Sequence, residues 1–224
     1  MNNKDKIHNV IFDLDGTLLD TSEGILESVE YTITALGLNK LPQQYLENFI
    51  GPPIQTSFAR YYGLDEAESQ HAANFFRDYY KREALYKARL YEGIIDVLKI
   101  FSDNNIKVGI ATYKRNDYAR LIVDYFGIGN YCASIRGADN DNKLTKSDII
   151  NFVMKDFGCA GHKDTVYVGD TKLDALAANS VKVGFVAVLY GFGFKNEYDL
   201  DCLGVNYRFA IKSPKNILEL FNES

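Results

Sequence analysis

The chain has 224 residues, of which 46% are hydrophobic and 25% charged, and its formal net charge is -5. This composition predicts a folded, soluble α/β domain with a smaller insert and argues against disorder. The lysines are scattered among acids and form no basic stripe, so we expect no binding to a nucleic-acid duplex.

No segment predicts secretion or membrane insertion. The polar start gives way to an apolar run that ends at Asp13, which is not the pattern of a secretory signal. The longest nearly apolar stretch, residues 183–194, contains three glycines and is shorter than the roughly 20 residues of a membrane span. We therefore expect a cytoplasmic protein without a membrane partner. The widely spaced Cys132, Cys159 and Cys202 predict neither a zinc site nor a disulfide framework.

The first predicted element is a buried strand at residues 10–12, whose Val-Ile-Phe run ends abruptly in Asp-Leu-Asp-Gly. Runs of this kind suit a parallel strand that is covered on both faces. Later strands are expected at 107–111, 165–168 and 183–188, and helices at 94–101, 118–126, 147–157 and 171–179. This alternation predicts the α/β class with a doubly wound parallel sheet of Rossmann type.

Residues 21–90 interrupt the alternation of strands and helices. They show helical periodicity and breakers such as Gly51-Pro52-Pro53, but no convincing strand. We therefore expect residues 1–20 and 91–224 to form the α/β core and residues 21–90 to form an inserted helical cap.

Two acids leave the first strand together. Asp13 and Asp15 are separated by one residue, and Gly16 permits a tight turn, so both carboxylates can approach one cation or phosphate. At an effective dielectric constant near 20, like charges about 4 Å apart repel by roughly 4 kcal/mol, and a divalent cation would reverse this repulsion. Because open α/β sheets bind ligands at the carboxyl ends of their strands, we predict a metal site here.

A second acidic pair, Asp170 and Asp174, follows the strand expected at 165–168. If a helix begins near Thr171, both carboxylates lie on one face, near the positive end of the helix dipole. The alternative is that Asp170 caps the helix and Asp174 is an ordinary surface charge. Taken alone, the pair leaves both interpretations open.

Two further segments offer groups that can bind phosphate. Thr112, Tyr113 and Lys114 follow the strand at 107–111 and supply a hydroxyl and backbone N–H groups, although a threonine there is more often a turn residue. Lys146 lies in a Thr-Lys-Ser-Asp segment that resembles a capping box, which predicts that Lys146 is the first residue of a helix. Lys143 is a nearby competitor for the same role.

In chain order, these motifs resemble the haloacid dehalogenase superfamily of phosphatases, and within it the phosphoglycolate phosphatase-like branch. The resemblance covers nearly the whole chain. It is carried by Asp-Leu-Asp-Gly-Thr-Leu at 13–18, Ala-Thr-Tyr-Lys at 111–114, Lys146, and Gly-Asp at 169–170 with Asp174. The first motif is highly specific, whereas the others are weak singly but occur in the family's order.

The resemblance implies three catalytic roles: Asp13 as nucleophile, Asp15 as general acid and base, and Lys146 as the stabiliser of charge. The residues expected to bind phosphate are Gly16, Thr17, Thr112 and Tyr113. The ligands expected for Mg²⁺ are the side chains of Asp13 and Asp170 and the main-chain carbonyl of Asp15, with Asp174 steadying the site through water or a hydrogen bond. The chain departs from the family at Tyr113, where Asn or Ser is frequent, and in lacking the Lys-Pro context around the lysine.

The implied function is the magnesium-dependent hydrolysis of a small-molecule phosphate monoester through an aspartyl-phosphate intermediate. Phosphoglycolate, nucleoside monophosphates and sugar phosphates are the candidate substrates. The alternatives are a sugar phosphomutase, a pyrophosphatase or a non-catalytic phosphate-binding protein of the same fold. A monomer or homodimer is expected. Gly51-Pro52-Pro53 resembles the family's cap loop over the site, or is only a helix breaker.

Overall fold

A computed structural model of the chain describes residues 6–139, 143–158 and 163–222. The chain divides into two compact units, the first formed by Met1–Leu19 with Leu90–Ser224 and the second by Asp20–Arg89. We refer to them as unit 1 and unit 2. Within the described ranges, Cys132 and Cys202 are free thiols, whereas Cys159 lies outside those ranges.

The strands form one large and one small sheet. In chain order they are β1 (Asn9–Phe12), β2 (Leu19–Asp20), β3 (Arg89–Leu90), β4 (Lys107–Arg115), β5 (Cys132–Ala138), β6 (Thr165–Gly169), β7 (Gly184–Val188) and β8 (Phe209–Ile211). β2 and β3 form the small sheet, where the chain passes between the units. The other six strands form the sheet of unit 1 in the order β5-β4-β1-β6-β7-β8, and all five neighbouring pairs are parallel. The predicted α/β fold with a parallel, doubly wound sheet is confirmed.

Helices follow most of the strands of unit 1 and make up most of unit 2. In chain order they are α1 (Ser22–Ala35), α2 (Gln43–Leu46), α3 (Ile54–Tyr62), α4 (Glu66–Tyr79), α5 (Ile94–Asp103), α6 (Asn116–Tyr125), α7 (Lys146–Phe157), α8 (Lys172–Ser180), α9 (Glu197–Leu203) and α10 (Glu219–Asn222). Among the described residues, no helix is both long and apolar enough to cross a bilayer.

The strand order of the large sheet reverses at β1, in the centre of the sheet: β4 and β5 lie on one side of it, and β6, β7 and β8 lie on the other. β1 has β4 on one side and β6 on the other, with Ile11 paired to Gly109 and to Tyr167. All four residues of β1 and all five of β6 are buried, as expected for strands covered on both faces. The carboxyl ends of β1, β4 and β6 therefore meet at the switch point, where open α/β sheets bind their ligands.

One local expectation about this edge was wrong, and one alternative that the sequence left open is excluded. β4 does not end at Ala111, because pairing with β5 resumes after a register irregularity and joins Arg115 to Ala138. Asp170 does not cap α8, because the Thr171 side chain accepts the hydrogen bond from the N–H of Asp174 in a capping box. By contrast, α7 does begin at Lys146, behind a capping box of Thr145 and Asp148.

Unit 2 has a core of its own, formed by α1 to α4 and the turns between them. The buried rings of Phe49 and Phe58 meet edge to face, with 5.1 Å between their centroids. Asp65 and Glu68 form a capping box at the start of α4, and Gly63 ends α3 in a left-handed conformation. The helices of unit 2 are thus capped and packed by residues of unit 2 itself.

Candidate active site

The two acidic motifs are brought together by the central strands. Asp13 directly follows β1, and its N–H donates to the carbonyl of Val168 on β6 at 2.8 Å. Asp170 directly follows β6. The side-chain oxygens of Asp13, Asp170 and Asp174 lie within 4.8 Å of one another, and all three residues are buried. Asp174 is fully buried, so the interpretation of this residue as a surface charge was wrong.

A tight turn after β1 lets the chain approach Asp170. The carbonyl of Leu14 accepts hydrogen bonds from the N–H groups of Leu18 and Leu19, both at 3.0 Å. Gly16 has φ +80°, and a Cβ added there would lie 2.7 Å from Cγ of Asp170. Only a residue without a side chain fits between this turn and the carboxylate.

Asp170 is held by one of its two oxygens. Its Oδ2 accepts hydrogen bonds from the N–H groups of Phe192, at 2.7 Å, and Gly193, at 3.2 Å, in the loop after β7. Its Oδ1 is buried and has no hydrogen-bond partner. A buried carboxylate oxygen without a partner is costly, so the arrangement leaves one oxygen available for a ligand.

Lys146 projects from the first position of α7 onto the acids. Its Nζ lies 2.7 Å from Oδ1 of Asp13, an ion pair without the alignment of a hydrogen bond, and 3.0 Å from Oδ1 of Asp174. Burial by itself would lower the pKa of Lys146, but the attraction of the two carboxylates raises it above its usual range. Lys146 is therefore a buried ammonium beside the predicted nucleophile. The competing Lys143 donates its backbone N–H to Asp139.

Three buried carboxyl groups, those of Asp13, Asp170 and Asp174, cluster beside this one ammonium. Burial raises the pKa of Asp13; Lys146 opposes that rise, and Asp174 adds to it. Burial also raises the pKa of Asp170, with Asp174 and Asp13 adding to it, while the N–H groups of Phe192 and Gly193 oppose it. A hard divalent cation would favour the ionised forms, and carboxylate oxygens are its preferred ligands. The donor set and the partnerless Oδ1 of Asp170 thus fit such an ion.

Asp15 lies outside the buried triad of acids and is paired with a different lysine. Its Oδ1 and Oδ2 accept hydrogen bonds from Nζ of Lys114, at 2.9 and 3.2 Å. The two side chains are 11% and 6% exposed, so the pair is largely removed from water. Sequence reasoning grouped Lys114 with a phosphate-binding segment and missed this pairing, which joins the turn after β1 to the end of β4.

The residues expected to bind phosphate occupy different environments. Thr112 is buried on β4, and its hydroxyl accepts the N–H of Lys114 at 3.2 Å. Thr17 is fully buried, and its Oγ1 has no hydrogen-bond partner. The Tyr113 hydroxyl accepts the backbone N–H of Lys146 at 2.9 Å. The Tyr113 side chain therefore contacts the start of α7.

Tyr167 is a residue of the site that sequence reasoning missed. Its hydroxyl is fully buried, 2.9 Å from the carbonyl of Ala111 and 3.0 Å from Oδ1 of Asp174. Burial and the nearby carboxylates raise the pKa of Tyr167 well above its usual range, so the phenol stays protonated. The only available signal was a tyrosine inside a predicted apolar strand, where a buried hydroxyl needs a partner.

Comparisons with known proteins found a matching family model and several named relatives. A family model described as haloacid dehalogenase-like hydrolase matches residues 10–188. A 5'-nucleotidase from Pseudomonas aeruginosa is 34% identical over 190 residues, which cover 84% of this chain and 86% of that protein. A phosphoglycolate phosphatase from Agrobacterium fabrum is 30% identical over 189 residues, with coverages of 81% and 80%. The crystal structure of a predicted phosphatase from Clostridium acetobutylicum matches with a TM-score of 0.86 at 32% identity and covers 97% of this chain and 98% of its own.

Proposed function

Because this chain belongs to the haloacid dehalogenase-like hydrolase family, we propose that it is a magnesium-dependent phosphatase of small phosphate monoesters that forms an aspartyl-phosphate on Asp13. One observation carries the proposal. The Asp13 carboxylate, at the end of β1, faces the Lys146 ammonium at 2.7 Å and lies in a buried cluster with Asp170 and Asp174. This is a nucleophile beside positive charge, at the edge of the sheet where ligands bind.

The reaction has two displacements. In the first, a carboxylate oxygen of Asp13 forms a bond to phosphorus while the ester bond breaks, and Asp15 gives a proton to the departing oxygen. In the second, Asp15 takes a proton from a water molecule whose oxygen attacks the phosphorus. Asp13 then leaves as a carboxylate, and inorganic phosphate is released.

Lys146 supports both steps from its place on α7. Burial raises the pKa of Asp13, so its ionised, nucleophilic form needs positive charge nearby. The Lys146 ammonium supplies such charge to Asp13 and is itself held by Asp174 at 3.0 Å. The same ammonium can balance charge that develops on the transferred phosphoryl oxygens.

We assign the Mg²⁺ site to the side chains of Asp13 and Asp170 and the main-chain carbonyl of Asp15, with Asp174 beside them. Bound there, the ion would neutralise the clustered carboxylates and polarise the phosphoryl group. Two observations support this assignment. Oδ1 of Asp170 is buried without a hydrogen-bond partner, and three buried carboxyl groups share the single ammonium of Lys146.

The substrate class proposed is a small metabolite with one phosphate ester, such as a nucleoside monophosphate, phosphoglycolate or a sugar phosphate. The names of two relatives, a 5'-nucleotidase and a phosphoglycolate phosphatase, support this range. We propose further that unit 2 is a cap that selects among these substrates, because all the acids and lysines assigned to the chemistry belong to unit 1. A cytoplasmic location and a monomeric or homodimeric state stay predictions.

The direct test replaces Asp13 by Asn and measures the hydrolysis of a panel of phosphate monoesters with Mg²⁺. An amide has the same shape but cannot attack phosphorus, so turnover should fall by more than about a thousandfold while the fold survives. Asp103→Asn, an exposed acid on α5, is the matched control and should behave as wild type. Wild-type turnover in Asp13→Asn would remove the proposal.

The metal is tested by exhaustive chelation of the wild-type protein. We expect the activity to disappear and to return when Mg²⁺ is added, because the carboxylates of Asp13 and Asp170 repel each other without a cation. Rapid acid quenching followed by mass spectrometry should find a phosphoryl group on Asp13 only in the metal-loaded enzyme. Full activity after chelation would contradict the metal assignment. The role of Asp13 as nucleophile would then depend on the Asp13→Asn variant alone.

A further inference from the structure

The first backbone N–H of α7 has an unusual partner. Helices leave their first four N–H groups without acceptors inside the helix, and Lys146 supplies the first of them. This N–H donates to the Tyr113 hydroxyl at 2.9 Å, although the two residues are 33 positions apart in the chain. The contact ties the end of β4 to the backbone of the residue that carries the ammonium.

The Tyr113 ring also lies beside that ammonium. Nζ of Lys146 is 5.4 Å from the centroid of the Tyr113 ring, within the distance at which a cation is attracted to an aromatic face. The Lys146 side chain is 5% exposed, so little water competes for the contact. One side chain therefore contacts Lys146 at both ends, by its hydroxyl at the backbone and by its ring near the charge.

The helix itself does not depend on Tyr113. Its start is capped by Thr145 and Asp148, and its buried face, including Ile150 and Val153, belongs to the core beside the sheet. Loss of the Tyr113 hydroxyl should therefore leave α7 formed. What changes is the restraint on the first residue, whose ammonium must reach Asp13 within 2.7 Å.

We propose that Tyr113 is a positioning residue that aims Lys146 at Asp13, and that its hydroxyl does not bind the substrate phosphate; this rests on the proposed function. A side chain that orients a charge stabiliser alters the rate of the chemical step more than the binding of substrate.

The test compares Tyr113→Phe, which keeps the ring, with Tyr113→Leu, which removes both contacts. We expect kcat of Tyr113→Phe to fall about three- to tenfold, the range for loss of one hydrogen bond, with KM changed by less than about twofold. Tyr113→Leu should lose more. Tyr207→Phe removes a phenol hydroxyl 3.4 Å from Glu197 elsewhere in unit 1 and should match wild type.

A double-mutant cycle shows whether the effect passes through Lys146. In a Lys146→Gln background, assayed with an aryl phosphate and excess enzyme, Tyr113→Phe should change the rate by less than about twofold. Independently, the backbone amide signal of Lys146 in ¹⁵N-lysine spectra, identified as the one missing in Lys146→Gln, should shift in Tyr113→Phe and not in Tyr207→Phe.

Any of four results would overturn the inference: wild-type kinetics in Tyr113→Phe, a raised KM with unchanged kcat in that variant, an equal loss in the Lys146→Gln background, or an unmoved Lys146 amide signal. Failure of the proposed function would be recognised separately, by an Asp13→Asn variant as active as wild type. If Asp13→Asn is inactive and Lys146→Gln is strongly slowed while Tyr113→Phe equals wild type, only the positioning role fails.

Discussion

At the scale of single residues, the site depends on a glycine as well as on its acids. Gly16 turns the chain with φ +80° and leaves room for the Asp170 carboxylate, whose Oδ1 we assign to the metal. An alanine here meets two separate obstacles. The left-handed backbone is strained for any residue with a Cβ, and the added atom would press on Asp170.

We predict that Gly16→Ala lowers the free energy of unfolding by at least about 1–2 kcal/mol and abolishes most of the phosphatase activity. Gly204→Ala is the control, because Gly204 has φ +66° with no atom within 4 Å of an added Cβ. Urea unfolding and kcat should be measured for both. If the two variants lose equal stability and keep equal activity, the contact with Asp170 has no importance.

At the scale of elements, α7 is joined to β5 by a partly exposed network outside the site. Asp156 on α7 accepts hydrogen bonds from Arg136 Nε, at 2.7 Å, and from the Ser134 hydroxyl, at 2.6 Å. The hydrogen bond from Arg136, and to a smaller extent the one from Ser134, lowers the pKa of Asp156 to about 2. The network fixes the helix that carries Lys146 to the edge of the sheet.

The depressed pKa gives this contact a defined pH dependence. Its stabilising effect is fully present above the ordinary Asp pKa of about 3.9 and is lost as the pH falls toward 2. We predict that Asp156→Asn is less stable than wild type by up to about 1 kcal/mol at neutral pH, because the pair is exposed to solvent. The two unfolding free energies should approach each other as the pH falls through about 2, the pKa of the folded state. A difference that is constant from pH 7 to pH 2.5 would contradict this account.

At the scale of the whole molecule, the chemistry and the proposed selectivity belong to different units. The residues assigned to phosphoryl transfer all lie in unit 1, whereas Gly51, with φ +104°, precedes α3 in unit 2. A substitution at Gly51 therefore tests the role of unit 2 while every acid assigned to the chemistry is kept.

We predict that Gly51→Ala, strained by about 1–3 kcal/mol, alters the ranking of substrates in a phosphate monoester panel. Hydrolysis of a small aryl phosphate should change much less. Gly37→Ala, also in unit 2, has φ +63° and open space around an added Cβ, so it should keep the ranking. A wild-type ranking in Gly51→Ala would mean that Gly51-Pro52-Pro53 is only a helix breaker.

Local chemistry explains which parts of the fold and site were predictable. The strand ending in Asp13 and the helix beginning at Lys146 are encoded by neighbouring residues, an apolar run in the first case and a capping box in the second. The end of β4 was misjudged at Ala111, because the pairing of Arg115 with Ala138 depends on another strand. Whether Asp170 caps α8 was left open by the sequence, and the structure gives the cap to Thr171, whose side chain accepts the N–H of Asp174.

The sequence alone determined the α/β class, the order of the motifs, the acids that follow the strands and the lysine that begins α7, because these follow from local periodicity, caps and a specific motif. Only the tertiary structure decided which partners those residues have. Lys114 pairs with Asp15, Tyr113 holds the amide of Lys146, and the loop after β7 donates to Asp170. Each contact joins segments that are distant in the chain. They meet because β1 lies between β4 and β6, and this strand order is settled by the packing of the whole sheet.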